Sequence, residues 1–323
     1  MPIVFIGTPP FAVLPLRRLV AEGYEVSAVY TQPDRPTGRG RKTVPPAVKT
    51  AAAELGLPLY QPPSLRDPAV VAHLRSLAPE VIAAVAYGQL IRPDVLAIPP
   101  RGVLNVHPSL LPRWRGASPV AAAILAGDKE TGVTIMRMNE GLDSGPIIAQ
   151  RVTPISADDT TGALTSALAE VGAGLLVETL ARWLAGEIEA VPQDESQATV
   201  CRQLRKSDGI IDWSLPAEDI WRRVRAYNPW PGAHTFLNGE PFHIWRAQPL
   251  AEESVEAPGT VIATSEAPFA VQTGRGLLAV LEAQRAGRRP LPADELLRGM
   301  SALIGRRFDS TANETGEAHS PPP

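Results

Sequence analysis

The chain has 323 residues, a formal net charge of −3, and 44% hydrophobic against 20% charged residues. That balance excludes a disordered polyelectrolyte, and the length points to two domains, able to bury roughly 75% of the unfolded surface without a covalent staple. The single cysteine, Cys201, excludes an intrachain disulfide or a cysteine-based metal cluster, and near-neutral charge leaves room for no more than a local basic face.

Met1-Pro2-Ile3-Val4-Phe5-Ile6-Gly7 opens on a short apolar run rather than a basic segment, so no secretory signal is expected. No apolar run approaches the ~20 residues of a membrane span, and a cytoplasmic protein is the expectation. Residues 3 to 6 read as a strand, Phe11 to Ala21 has helical spacing, and Glu25 to Tyr30 reads as a second strand. This is the strand–helix–strand rhythm of a parallel, Rossmann-like sheet. The Gly-x-Gly-x-x-Gly fingerprint is absent after the first strand, so no nicotinamide dinucleotide is expected.

Thr31 to Thr50 carries five cations (Arg35, Arg39, Arg41, Lys42 and Lys49) against Asp34 alone. Gly38-x-Gly40 lacks the Gly-Lys-Ser/Thr ending of a phosphate-binding loop, so this stretch reads as a basic surface loop. Helices near 46–55 and 68–77 and strands near 57–60 and 81–86 continue the alternation. A short helix near 92–97 leads into a strand over Gly102-Val103-Leu104-Asn105-Val106-His107. Strands at 131–138 and 146–153 flank the turn Gly141-Leu142-Asp143-Ser144-Gly145. Between 160 and 185, Leu164, Leu168, Val171, Leu175, Leu176, Leu180 and Trp183 share one helical face.

The first, α/β domain therefore spans 1–186, and the polar stretch 187–206 reads as a linker. Beyond it the pattern changes to a helix at 216–226, a hairpin signal at Asn238-Gly239, and strand-like runs at 259–264, 268–272 and 276–284. A short helix near 292–299 completes a small β domain over 207–309, and the polar stretch 310–323 reads as a disordered tail.

Of the five histidines, His107 stands apart because it ends a buried strand two residues after Asn105, and side chains two apart on a strand share a face. Asn can polarise a carbonyl oxygen, His can move a proton near neutral pH, and Asp143 in its Gly-rich turn can hold the imidazole or an amine. The trio suits attack of an amine on an activated carbonyl. Asp between two glycines is also ordinary turn chemistry, and Ser109-Leu110-Leu111-Pro112 alone reads as a strand exit with two core leucines.

Leu104 to Pro112, the following Arg113-Trp114-Arg115-Gly116-Ala117, and Asp143 resemble the folate-dependent formyltransferases. The basic loop from Thr31 to Lys42, Ile211-Asp212-Trp213, and Arg225-Ala226-Tyr227-Asn228-Pro229-Trp230-Pro231-Gly232 narrow the resemblance to the methionyl-tRNA formyltransferase family. The resemblance covers about residues 3 to 307. It implies an OB-like barrel for the C-terminal domain and a formyl transfer from 10-formyltetrahydrofolate to the α-amino group of initiator methionyl-tRNA. It implies that Asn105, His107 and Asp143 are catalytic. In the expected mechanism Asn105 donates to the oxyanion, a protonated His107 can add a second donor, and Asp143 orients His107 and helps remove the extra proton from the amine. It further implies that Ser109, Leu110, Leu111 and Pro112 shape the folate pocket, with Tyr87 and Gly88 against the pterin, and that Arg35, Arg39, Arg41 and Lys42 meet the tRNA. Pro108 departs from the Gly that some relatives carry there, and removes a backbone donor. No metal, no membrane and a monomer are expected. Transfer to a small-molecule amine, release of formate by hydrolysis, and a non-catalytic tRNA-binding protein are the alternatives. The basic loop separates the first two from the leading reading, and the intact trio argues against the last.

Overall fold

A computed structural model describes residues 1–37, 42–252 and 254–310. Two compact units emerge: Met1–Val120, Lys129–Ile155 and Ala163–Arg202 form the first, and Ala121–Asp128, Ser156–Gly162 and the described residues from Gln203 onward form the second.

The first unit opens with β1 (Ile3–Gly7), α1 (Val13–Ala21) and β2 (Val26–Tyr30), as the apolar pattern anticipates; all five residues of β1 are buried. The basic stretch is more ordered than a loop at its ends, where β3 (Arg35–Thr37) and β4 (Lys42–Val44) pair antiparallel. The alternation continues through α2 (Ala47–Glu54), β5 (Leu59–Tyr60), α3 (Pro68–Ser76), β6 (Val81–Val85), α4 (Pro93–Leu96) and β7 (Val103–His107). A two-residue strand, β8 (Arg115–Gly116), precedes α5 (Pro119–Ala126), which from Ala121 on belongs to the second unit. The sequence pattern gave no sign of α5, because Pro-Val-Ala-Ala-Ala-Ile-Leu-Ala has no polar face from which a helical period can be read. Then come β9 (Glu130–Arg137), β10 (Ile147–Pro154), α6 (Thr161–Ala185) and β11 (Val200–Cys201).

Seven strands make the main sheet in the order β10-β9-β7-β6-β1-β2-β5. β7, β6, β1, β2 and β5 run parallel, while on the β7 side β9 runs against them and β10 pairs antiparallel with β9. Fully apolar β1 and β6 suit a sheet covered on both faces. α6 is long and apolar enough, by length and composition, to cross a membrane. Thr165, Ser166, Glu170, Glu178 and Arg182 interrupt it, so its sequence holds no unbroken apolar run of that length. In the structure Leu164, Leu168, Leu175, Leu176 and Leu180 are buried, so its apolarity supplies a core face.

The expected linker is largely part of this first unit. Val191 exchanges main-chain hydrogen bonds with Ile147 at 2.7 and 2.8 Å, and β11 pairs with β8. Polar composition misled here: the segment is held by backbone pairing, which needs no apolar side chains.

In the second unit α7 (Ala217–Ala226) buries Ile220 and Val224, four residues apart, and carries Glu218 and Asp219 in its first turn and Arg223 and Arg225 in its last, complementing the helix dipole. The Arg225 guanidinium donates to the carbonyls of Asp159 and Ser156 at 2.9 and 2.6 Å, which ties 156–162 to this helix. β12 (His234–Leu237) and β13 (Glu240–Leu250) join at Asn238-Gly239, both with positive φ as the sequence signal requires. With β14 (Val261–Ile262), β15 (Ala270–Gln272), β16 (Leu277–Arg285) and β17 (Leu291–Pro292) they form one antiparallel sheet, followed by α8 (Ala293–Arg298). Trp213, Ile220, Phe242, Phe269, Leu278 and Phe308 anchor its core. This is the β-rich, OB-like second domain. Residues 311–323, most of the expected tail, lie outside the described residues.

Candidate active site

β7 is held between β6, through Ala84 opposite Asn105, and β9, through Met136 opposite Asn105 and Thr134 opposite His107. The ladders on both sides fix its twist, so Asn105 and His107 emerge on one face at its carboxyl end, where open α/β sheets bind ligands. Both line a cavity of about 440 Å³, within the ordinary range for small-molecule sites. Asp143 reaches the same cavity from the turn between β9 and β10, and Ala84, Ile91, Met138 and Leu142 give it apolar walls. The three residues singled out in the sequence therefore meet in one place.

His107 is 4% exposed. Its Nε2 lies 3.0 Å from the Trp114 carbonyl, which can only accept, so Nε2 carries the proton. Nδ1 is left as the basic nitrogen, 3.7 Å from Asp143 Oδ2. Burial pushes the imidazole pKa below its ordinary value, opposed by the Asp143 carboxylate and the Trp114 carbonyl. The Trp114 carbonyl thus holds the ring at Nε2 with Asp143 Oδ2 on the Nδ1 side, and burial favours the neutral ring.

Asp143 sits at φ 47°, in the left-handed region that non-glycine residues seldom occupy. Its Oδ2 accepts a hydrogen bond from the Gly116 N–H at 2.9 Å. The sequence did not single out Trp114 and Gly116, whose main chain makes these contacts to His107 and Asp143. Both act through the main chain, and only their place in the Arg-Trp-Arg-Gly segment hinted at them.

Tyr87 lies between Ala86 and Gly88, both at positive φ (47° and 81°). Its ring is buried in the cavity wall and its hydroxyl has no hydrogen-bond partner among the described residues; burial pushes its pKa up to about 12. Its carbonyl accepts from Thr8 Oγ1 at 2.9 Å and Gln32 Nε2 at 2.8 Å. Gly88 lines the same wall. The apolar walls and the unpaired hydroxyl fit a flat heteroaromatic ring with polar edges, the chemistry of a pterin.

Ser109, Leu110, Leu111 and Pro112 do not line this cavity; Pro108 does. Ser109 Oγ donates to the Arg113 carbonyl at 2.7 Å, Thr134 Oγ1 donates to the Ser109 carbonyl at 2.7 Å, and Gln150 Nε2 donates to the Leu111 carbonyl at 2.8 Å. The segment braces the chain as it leaves β7, because its polar groups are committed to closing that exit.

At the basic stretch, Arg35 is exposed and donates to Gln32 Oε1. Lys49 clasps Asp34 at 2.7 and 2.9 Å, and Gln61 and Lys49 together hold the Asp34 carboxyl below the ordinary range. Lys42 begins β4, and Arg39 and Arg41 lie outside the described residues. Among the described residues no group of three or more His, Cys, Asp or Glu could hold a metal ion.

Residues 1–180 match the formyl transferase family, and residues 203–301 match the formyl transferase C-terminal domain. A methionyl-tRNA formyltransferase of Roseiflexus sp. (strain RS-1) is 53% identical over 97% of each chain. One from Methylococcus capsulatus (strain ATCC 33009 / NCIMB 11132 / Bath) is 48% identical over 95% of this chain and 99% of its own. Among solved structures, an N-formyltransferase from Helicobacter canadensis, in complex with folinic acid and dTDP-3-aminofucose, superimposes with a TM-score of 0.65 at 18% identity, over 88% of this chain and 98% of that one. HypX from Aquifex aeolicus, in complex with tetrahydrofolic acid, has a TM-score of 0.61 at 21% identity over 91% of this chain. This chain spans 46% of that one, so the shared fold is about half of HypX.

Proposed function

The chain belongs to the formyl transferase family, among the methionyl-tRNA formyltransferases, and from that premise we propose which of its residues perform the reaction. The enzyme transfers a formyl group from 10-formyltetrahydrofolate to the α-amino group of methionyl-tRNA. The convergence of Asn105, His107 and Asp143 on one cavity carries the assignment of the site.

The folate supplies an activated formyl carbon when bound. Tyr87 and Gly88 line the wall that receives its ring, with Ile91 and Met138 excluding water. Ser109, Leu110, Leu111 and Pro112 act behind the wall, fixing Pro108. A free α-amine titrates near 8, and the ester lowers that value, so the attacking nitrogen is largely neutral at pH 7. As the new C–N bond forms, the nitrogen becomes acidic and His107 Nδ1 takes its proton. The resulting imidazolium keeps its Nε2–H on the Trp114 carbonyl and faces Asp143 Oδ2, so the charge forms beside a carboxylate already in place. Asn105 donates its amide hydrogen to the oxygen on which negative charge develops. The proton held at Nδ1 then returns to the departing folate nitrogen, and atoms and charge balance without a covalent enzyme intermediate.

On the acceptor side, the charges of Arg35, Arg39, Arg41 and Lys42 meet tRNA phosphates. The quadruple charge-removal variant should use methionyl-tRNA less well and show a flatter salt dependence; unchanged kinetics across a salt series would remove this role. Initiator methionyl-tRNA is the substrate in this reading, and the enzyme works as a cytoplasmic monomer. Light scattering of the purified chain tests the oligomeric part.

The decisive assay supplies purified protein with 10-formyltetrahydrofolate and methionyl-tRNA, beside a control without tRNA that follows formate. Formylmethionyl-tRNA is expected. Formate alone would convert the reading to a hydrolase.

A further inference from the structure

We infer that Gln193 is a positioning residue for formyl transfer: anchored on Arg115, its carboxamide holds the Asp143 turn in the backbone geometry that presents the carboxylate to His107. The inference rests on the role proposed above for Asp143.

Gln193 Nε2 donates to the Asp143 carbonyl at 2.8 Å and to the Gly145 carbonyl at 2.7 Å, so both hydrogens of its NH₂ group are used. Gln193 Oε1 accepts from Arg115 Nε at 3.0 Å and Nη2 at 2.8 Å. Chemistry fixes this orientation, because carbonyls cannot donate and a guanidinium cannot accept. Arg115 is itself immobilised. Its side chain is 8% exposed, its Nη1 and Nη2 meet the Glu195 carboxylate at 2.9 and 2.7 Å, and its main chain pairs through β8 with β11.

The same short strand ends in Gly116, whose N–H binds Asp143 Oδ2. Asp143 is thus gripped twice: its side chain by Gly116, and its main chain by Gln193. A left-handed aspartate in a free turn relaxes toward the common backbone regions, and the carboxylate then swings away from Nδ1. The pairing of Val191 with Ile147 delivers Gln193 to this spot. The polar segment after α6 therefore takes part in catalysis by fixing a loop that it does not adjoin in sequence.

Two variants test this. Gln193→Leu removes all four hydrogen bonds. Gln193→Glu keeps the acceptor toward Arg115 but replaces the donor pair with a carboxylate oxygen facing the two carbonyls, so it breaks the grip on the turn and decides the matter if the leucine variant fails to fold. With methionyl-tRNA and 10-formyltetrahydrofolate, both variants should lose about tenfold to a hundredfold in kcat, the scale of a small misplacement of a catalytic group, with donor KM within about twofold of wild type. In an Asp143→Asn background, Gln193→Glu should cost no more than about twofold further, since the carboxylate it positions is gone. A purely structural role predicts losses that multiply. Wild-type kcat in both Gln193 variants, or a full multiplicative loss in the double variant, overturns the inference. Near-normal kcat in Asp143→Asn alone overturns the Asp143 assignment itself, and this inference with it.

Discussion

The two flanks of the active site are built on opposite principles. Asn105 and His107 ride on β7, whose main-chain ladders to β6 and β9 fix their direction without help from distant side chains. Asp143 rides on a turn between two strands, and its position comes from Gly116, from Gln193, and from the close approach of Gly145 to Arg137. A regular strand carries its geometry in its own period. A turn that must hold a strained residue borrows its geometry from elsewhere in the fold.

The sharpest break of the comparison comes from the strand side. His107→Ala should abolish turnover, at least a hundredfold to ten-thousandfold, while circular dichroism stays native, because the ladder does not depend on the imidazole. Retained turnover would remove His107 as the base. Asn105→Ala should lower kcat roughly a hundredfold to a thousandfold with donor KM little changed. A rise in KM at constant kcat would make Asn105 a binding residue.

The pH profile sharpens the picture of His107. Burial lowers its pKa, and only the neutral ring accepts a proton, so activity is full above the folded-state pKa and lost as pH falls through it. Once the titration of the substrate amine is divided out, the acidic limb of kcat/KM that remains should therefore lie below the ordinary histidine value of about 6.5. The same sign applies to stability: burial of the neutral ring loses its contribution as pH drops below the unfolded value. A remaining limb above 6.5 would mean that Asp143 outweighs burial.

On the turn side, a Cβ at Gly145 would sit 1.9 Å from the Arg137 carbonyl oxygen, which is main chain and cannot step aside. Gly145→Ala should cost about 1–3 kcal/mol in urea unfolding and lower kcat as Asp143 shifts. Gly174 in α6 has nothing within 4 Å of its would-be Cβ, so Gly174→Ala should stabilise by about 1 kcal/mol or less and leave kcat alone. Equal effects at the two glycines would refute the claim that the turn is the sterically constrained flank.

The sequence by itself determined the strand–helix alternation of the first domain, the Asn-Gly hairpin of the second, and the shared face of Asn105 and His107. Each is a local period or a local turn preference, written within a few residues. The family resemblance placed Asp143 beside them, and the cavity agrees. Tertiary structure alone decided the rest: which nitrogen of His107 is basic, that Pro108 rather than Ser109 to Pro112 faces the cavity, and that Gln193 holds Asp143. It also made most of a polar stretch, expected as a linker, part of the catalytic unit. The reason is physical. Gln193 and Asp143 lie 50 residues apart, and a hydrogen bond from a side chain to a distant carbonyl leaves no period in the chain that makes it.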